Sequence, residues 1–166
     1  ELRENMGEIE AAEKSVLPLL VEEKDVQGLF HIHTNFSDGT DTLESIVNAA
    51  KKMGLKYIGI SDHSRSAYYA GGLKVDDIQR QHELIDKLNE KYKPFYIFKG
   101  IESDILPDGS LDYDEGILAR FDFVIAAVHS NFNMPVEEMT GRIKKALQNN
   151  YTTMLAHPTG RLLLSR

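Results

Sequence analysis

Short apolar runs that end in a potential metal-ligating side chain recur along this chain, and each is followed by a turn or a helical pattern. Four of them close on histidine: Leu29-Phe30-His31-Ile32-His33, Tyr57-Ile58-Gly59-Ile60-Ser61-Asp62-His63, Phe123-Val124-Ile125-Ala126-Ala127-Val128-His129 and Thr153-Met154-Leu155-Ala156-His157. A fifth, over 95–101, ends in Glu102. Between them, Leu43, Ile46, Val47, Ala50 and Met53 recur at helical spacing, with Asp41 as the expected N-cap, Glu44 three residues on and Gly54 closing the helix. A Gly71-Gly72 loop precedes a helix expected near 76–91, with Ile78, Leu84, Ile85 and Leu88 as its core face. A Pro107-Asp108-Gly109 turn, a helix near 135–149 and Pro158 complete the alternation. Short strands that are apolar on both faces and separated by helices imply an α/β fold with a parallel sheet. In such sheets the loops beyond the strand ends carry the ligand site. Five of the six histidines therefore belong at one end of the molecule.

Composition narrows the chemistry. The chain has 166 residues, enough for one domain with its own core, and no cysteine. Any metal must then be held by imidazole and carboxylate, which suits zinc, manganese or iron. Residues 1–28 carry eight acids and three bases of a formal net charge of −7, which leaves −2 for the rest. That acidity argues against a broad nucleic-acid groove, but bound divalent cations would invert the local sign, so phosphates stay possible. The longest apolar stretch is six residues and the N-terminus is charged, so neither a membrane span nor a signal peptide is expected, and a cytoplasmic location is the default. Residues 1–28, with Leu17-Pro18-Leu19-Leu20-Val21 as their apolar cluster, read as a linker or lead-in arm without catalytic residues.

The site residues follow from donor chemistry. His31 and His33 sit two apart, so on an extended strand they project from one face about 7 Å apart and can serve one metal or two. Alone, His-x-His is equally a solvated or core pair; Thr34 and Ser37-Asp38-Gly39 after it strengthen the metal reading, although Asp38 by itself would pass for a turn former. His63 alone would pass for a polar strand terminus. His129 and His157 follow stretches too apolar to hydrate an imidazole, and an uncompensated buried polar group costs about 1–3 kcal/mol. A shared metal cluster supplies all of them with partners, and Glu102 is the natural bridging carboxylate. Asp62 and Asp104 are candidates to orient ligand histidines from behind, or ordinary loop residues. Arg65, Lys74 and Arg161 are candidate phosphate contacts and Tyr68 and Tyr69 candidate base-stacking rings; a plain surface role suits these five as well. His82, among charged neighbours, is expected on the solvated surface.

His31-Ile-His33-Thr34, Ser37-Asp38-Gly39, Ser61-Asp62-His63, Gly100-Ile-Glu102, Ala127-Val-His129-Ser130 and Ala156-His157-Pro158 together resemble the successive motifs of the PHP (polymerase and histidinol phosphatase) superfamily. The leader Glu1 to Ala12, with Leu17-Pro18 and Asp25-Val-Gln-Gly28, is similar to the junction where bacterial and archaeal family X DNA polymerases pass into a C-terminal PHP domain. This resemblance implies a distorted TIM-like (β/α)7 barrel with up to three divalent transition metals (Mn2+, Zn2+ or Fe2+). His31, His33 and Glu102 would serve one metal, Asp38 and His63 a second, and Glu102, His129 and His157 a third, with all seven residues catalytic. The superfamily's late Asp-x-His motif is not in this sequence, so the expectation is a fragment: about five strands over 29–166, with two of the sites each short of a ligand. The function implied is a metal-dependent phosphoesterase on DNA phosphodiesters or 3′ phosphates, of the 3′–5′ exonuclease or AP endonuclease type, beside a repair polymerase in the same parent chain. The rivals are a stand-alone phosphomonoesterase of the histidinol phosphatase kind and a structural module whose site no longer turns over.

Overall fold

The apolar runs do form strands, and all of them pair in parallel. A computed structural model describes residues 7–158. In chain order its elements are α1 (Glu8–Glu13), β1 (Gly28–Ile32), α2 (Leu43–Lys52), β2 (Tyr57–Ile60), α3 (Val75–Tyr92), β3 (Tyr96–Asp104), α4 (Glu115–Leu118), β4 (Phe123–Ala127), α5 (Val136–Leu147) and β5 (Thr152–Leu155). The five strands lie in one sheet in the order β1-β2-β3-β4-β5, each neighbour parallel, with connections through helices. Sequential parallel order of this kind is a partial TIM-like barrel, as expected.

The two faces of the sheet are filled differently. On the outer face Ile58, Ile60 and Ile97 pack against Leu43, Val47 and Ala50 of α2 and Ile85 and Leu88 of α3. Ile101, Val124 and Ala126 pack beside Ile78 of α3 and Ala146 of α5. On the inner face aromatic rings lie over glycines: Phe30 sits 5.7 Å from Phe98 and 4.9 Å from Phe123, centroid to centroid. A Cβ at Gly59 would come within 2.2 Å of the Phe30 ring, and one at Gly100 within 2.1 Å of Phe123. Small residues on β2 and β3 thus make room for large ones on β1 and β4, which fills the interior below the strand ends.

Several local expectations need correction. The N-cap of α2 is Thr42, whose hydroxyl accepts from the Ser45 N–H at 3.2 Å, whereas the Asp41 carbonyl is engaged upstream with the Asn35 N–H. Gly54 does follow the helix with φ +80°. On α3 the buried face is Ile78, Gln81, Ile85 and Leu88, with Leu84 only partly covered. His82 is not on the solvated surface: its ring meets Phe121 edge-on at 5.0 Å and its Nε2 is buried without a hydrogen bond. Burial first, then the Lys99 charge, pushes its pKa down to about 4. His82 follows Ile78 by four residues and precedes Ile85 by three, so it shares their stripe. The turns α1 and α4 lack the length for periodicity to show in sequence; α4 is started by the Asp114 carboxylate accepting from the Ile117 N–H. Among the described residues no helix is long and apolar enough to cross a membrane.

Candidate metal centre

Each strand end delivers at least one donor to the same place. Along β3, Phe98, Gly100 and Glu102 alternate onto the inner face, and along β4 Phe123, Ile125 and Ala127 do the same, so the alternation carried past the strand end aims His129 inward. β1 needs a device. Phe30 packs on the interior aromatics, yet Ile32, two residues on, packs against the outer cluster. The pairing with β2 shifts register between Leu29 and Ile32, and His31 has φ +64°. This left-handed bulge resets the alternation, so Phe30, His31 and His33 all turn inward. The simple extended strand expected for His31-x-His33 is therefore replaced by a bulged one, and the two rings come to 5.4 Å. His157 uses the same device at β5: its φ of +28° lets both Ala156 and His157 face the interior.

Five imidazoles converge on one carboxylate. Glu102 Oε1 lies 3.0 Å from His31 Nε2, 3.0 Å from His157 Nε2 and 3.4 Å from His129 Nε2. Its Oε2 lies 3.3 Å from His33 Nε2 and 3.2 Å from His63 Nδ1. Asp38 closes the far side, with Oδ1 3.2 Å from His33 Nδ1 and Oδ2 3.6 Å from His63 Nε2. Glu102 is 1% exposed. Burial alone would raise its carboxyl, but hydrogen bonds from His129 and His33 and the nearby imidazole charges overcome this and hold it below the usual carboxylate range.

This arrangement fits cations better than hydrogen bonds. A carboxylate offers about four lone-pair sites, fewer than the imidazoles aimed at Glu102. The Nδ1 atoms of His33 and His63 are buried and make no hydrogen bond, although carboxylate oxygens lie near them. Buried nitrogen lone pairs left over in this way are satisfied by divalent ions. Among the described residues, three groups have donor atoms close enough to share an ion: His31, His33 and Glu102; His33, Asp38 and His63; and His63, Glu102 and His129. The first matches the sequence expectation and the second adds His33 to it. In the third, His63 takes the place expected for His157, whose ring still reaches Glu102.

Asp104 orients the cluster from behind, and Asp62 does not. The Asp104 Oδ1 is 2.7 Å from His129 Nδ1, so a neutral His129 carrying its proton there leaves the Nε2 lone pair facing Glu102. Burial works to lower the His129 pKa, but hydrogen bonds to Asp104 and Glu102 outweigh it and raise the value to about 9. A cation entering the site must displace that proton, so its binding releases protons and strengthens as pH rises toward about 9. Asp62 instead accepts from the Thr34 N–H at 2.7 Å, the Thr34 hydroxyl at 2.8 Å, the Ser37 hydroxyl at 2.5 Å and Gln81 Nε2 at 2.6 Å. It pins the turn that presents Asp38.

The candidate phosphate contacts are not gathered at the cluster. Arg65 Nη2 donates to the Asp112 carbonyl at 2.6 Å and Nε to the Asp112 carboxylate at 3.3 Å. Lys74 is exposed at the start of α3, and Arg161 lies outside the described residues. Tyr69 does stand beside the centre, its ring 6.2 Å from that of His63. Two supports had no sequence signal. The Ser66 hydroxyl donates to the second oxygen of Asp104 at 3.1 Å. Arg142 of α5, 3% exposed, donates to the carbonyls of Ile105, Leu106 and Ser130, the residues following Asp104 and His129.

A parallel α/β domain of partial-barrel form, with histidine and carboxylate donors converging where its strands end, defines a class of candidate metal-dependent phosphoesterases. Residues 30–162 match the family model for the PHP domain, and the chain belongs to that family. It is 41% identical over 163 residues to the DNA polymerase/3′-5′ exonuclease PolX of Bacillus subtilis (strain 168), a match covering 98% of this chain and 28% of that protein. It is 33% identical over 139 residues to a probable phosphatase of Thermoanaerobacter sp. (strain X514), covering 77% of this chain and 52% of the relative. The chain thus spans about a quarter to a half of these relatives. In fold it is similar to the histidinol phosphate phosphatase of Lactococcus lactis subsp. lactis Il1403, solved with zinc, L-histidinol and phosphate (TM-score 0.51, 24% identity, 64% of this chain and 41% of the other).

Proposed function

We propose that this chain is the PHP domain of a family X DNA polymerase and hydrolyses DNA phosphodiesters or 3′ phosphates with divalent metals, in the cytoplasm and in DNA repair. Residues 1–28 form the arm that leads in from a polymerase region and 29–166 the phosphoesterase domain. The observation that carries the reading is the convergence of five imidazoles on the buried Glu102 carboxylate. The similarity to PolX over nearly the whole chain favours DNA as the substrate.

His31, His33, Asp38, His63, Glu102, His129 and His157 would hold up to three ions, of manganese, zinc or iron. Such ions, when bound, supply Lewis-acid activation of a phosphoryl group and of a water nucleophile. The chain's own part is to hold the imidazoles in place and in the right orientation. Asp104 accepts the hydrogen bond from the His129 Nδ1–H, Glu102 bridges the donors on either side of it, and Asp62 holds the Thr34–Ser37 turn so that Asp38 faces His33 and His63. Ligand imidazoles must be unprotonated, so activity falls as pH drops through their titration.

The test is cleavage of 3′-recessed DNA and of phosphomonoesters by the intact polypeptide and its His129→Ala variant. Turnover of DNA that the variant loses supports the reading. Turnover confined to small phosphomonoesters favours the second reading, a stand-alone phosphatase, to which the similarity to probable phosphatases lends weight. Retained metal without any turnover leaves a structural module.

A further inference from the structure

Beside the cluster stands a loop whose backbone is tied down at many points while its largest side chains face solvent. Residues 64–73 connect the end of β2 to α3. Ser64 N–H donates to the Glu102 carbonyl at 3.0 Å and Leu73 N–H to the His63 carbonyl at 2.9 Å, which fixes both ends of the loop to ligand-bearing backbone. Ser66 N–H donates to Asp112, the Tyr113 hydroxyl donates to the Leu73 carbonyl, and Ala67 and Ala70 are buried. Yet Tyr68 is 87% and Tyr69 71% exposed. Neither ring fills the core, so the firmly held backbone leaves both free to meet a ligand.

Their placement gives the rings a use. Tyr69 lies 6.2 Å from the His63 ring, so its face is about one sugar away from a phosphate bound at the cluster. Tyr68 lines a separate cavity of about 420 Å³ with Arg65, Lys74, Gly71, Gly72 and Asp77, and none of the cluster's histidines lines it. The Asp77 carboxylate is already engaged, accepting from the Lys74 N–H at 3.0 Å and from Arg80. The cavity therefore offers an aromatic wall, the exposed Lys74 ammonium and the Arg65 guanidinium, the last already donating through Nη2 and Nε to Asp112, a step further from the metals. A small phosphomonoester needs one phosphate site and room for one leaving group; a second ring with cations beside it suits a second nucleotide.

We infer that Tyr69 and Tyr68 form a base-binding subsite, Tyr69 stacking the nucleobase next to the scissile phosphate and Tyr68, with Lys74 and Arg65, receiving the adjoining nucleotide of a single-stranded end. This rests on the phosphodiesterase reading above and adds which residues select a nucleic acid. Stacking is tolerant of base identity, because every base has a π face. The subsite thus distinguishes nucleotides from base-free phosphates without reading sequence.

The experiment compares a single-stranded oligothymidylate with the same oligomer carrying abasic residues at its last two positions. Binding (by fluorescence anisotropy) and cleavage are measured with the intact, Mn2+-loaded polypeptide. Expected is tighter binding of the base-bearing oligomer, with that preference cut about tenfold by Tyr69→Ala and preserved in Tyr69→Phe and Tyr69→Trp. Tyr68→Ala should cut the preference at the penultimate position. Rescue by Phe separates stacking from a role of the Tyr69 hydroxyl. Equal affinity for the two oligomers, or a preference untouched by both alanine variants, overturns the subsite. Base-dependent binding that Tyr69→Ala abolishes, without cleavage of any oligomer, keeps the subsite and defeats the phosphodiesterase reading instead.

Discussion

His31 shows how much of this site is decided at one backbone angle. A left-handed φ costs a non-glycine residue about 1–2 kcal/mol, yet without it β1 would point either Phe30 or the two histidines the wrong way. His31→Val and His31→Asn both remove the imidazole, but only asparagine tolerates the left-handed region. Urea unfolding of chelator-treated protein should therefore find His31→Val less stable than His31→Asn by about 1–2 kcal/mol. His82 sets a pH window of its own. Its pKa of about 4 lies below the 6.5 of an unperturbed imidazole, so the unfolded chain takes up the proton first on acidification. Stability should fall between pH 6.5 and about 4 from this group, and His82→Leu should flatten that part of the profile in pH-dependent unfolding. Six of the seven proposed ligands stand out in sequence because they are donor side chains at or near the ends of apolar strands, whereas Asp38, in a turn, stands out only by the His-x-His-Thr motif before it. The bulge was not, since a left-handed histidine leaves no mark in sequence, and His82 was misread because its charged neighbours hid the stripe it shares with Ile78 and Ile85.

At the scale of elements, α5 ties the cluster to the sheet through Arg142. Among the described residues its guanidinium makes no ion pair with a carboxylate; its donors go to the backbone carbonyls of Ile105, Leu106 and Ser130 and to the Ser130 hydroxyl. Two loops, the one after Asp104 and the one after His129, are thereby held against each other, which keeps the 2.7 Å contact between those side chains. Arg142→Met leaves these carbonyls buried and unpaired, and should cost about 2–4 kcal/mol in urea unfolding. It should also weaken metal binding, read by competition with a colorimetric chelator, more than Arg142→Lys does. Strands and long helices were legible from periodicity, but Arg142 was not: an arginine on a helix normally reads as solvated, and its partners are carbonyls some 12 to 37 residues away in sequence. Asp62 and Asp104 looked alike in sequence for the same reason. Only three-dimensional pairing shows that one holds a turn and the other the His129 ring.

Over the whole molecule, the cluster is where all five strands meet. β1 brings His31 and His33, and the residues at or just beyond the ends of β2, β3, β4 and β5 bring His63, Glu102, His129 and His157. Ions bound there would cross-link the full width of the sheet, so metal binding and stability are coupled. At a free metal concentration a thousandfold above its Kd, a single site adds about 4 kcal/mol, and chelation should lower the Tm accordingly. The direct test is the metal content of the purified intact polypeptide beside its Glu102→Gln variant, by plasma mass spectrometry after desalting. Expected is at least one tightly bound transition metal per chain, largely lost from the variant, because Glu102 belongs to two of the three donor groups. Less than one metal per chain, or equal content in the two proteins, would contradict a metal centre built around Glu102.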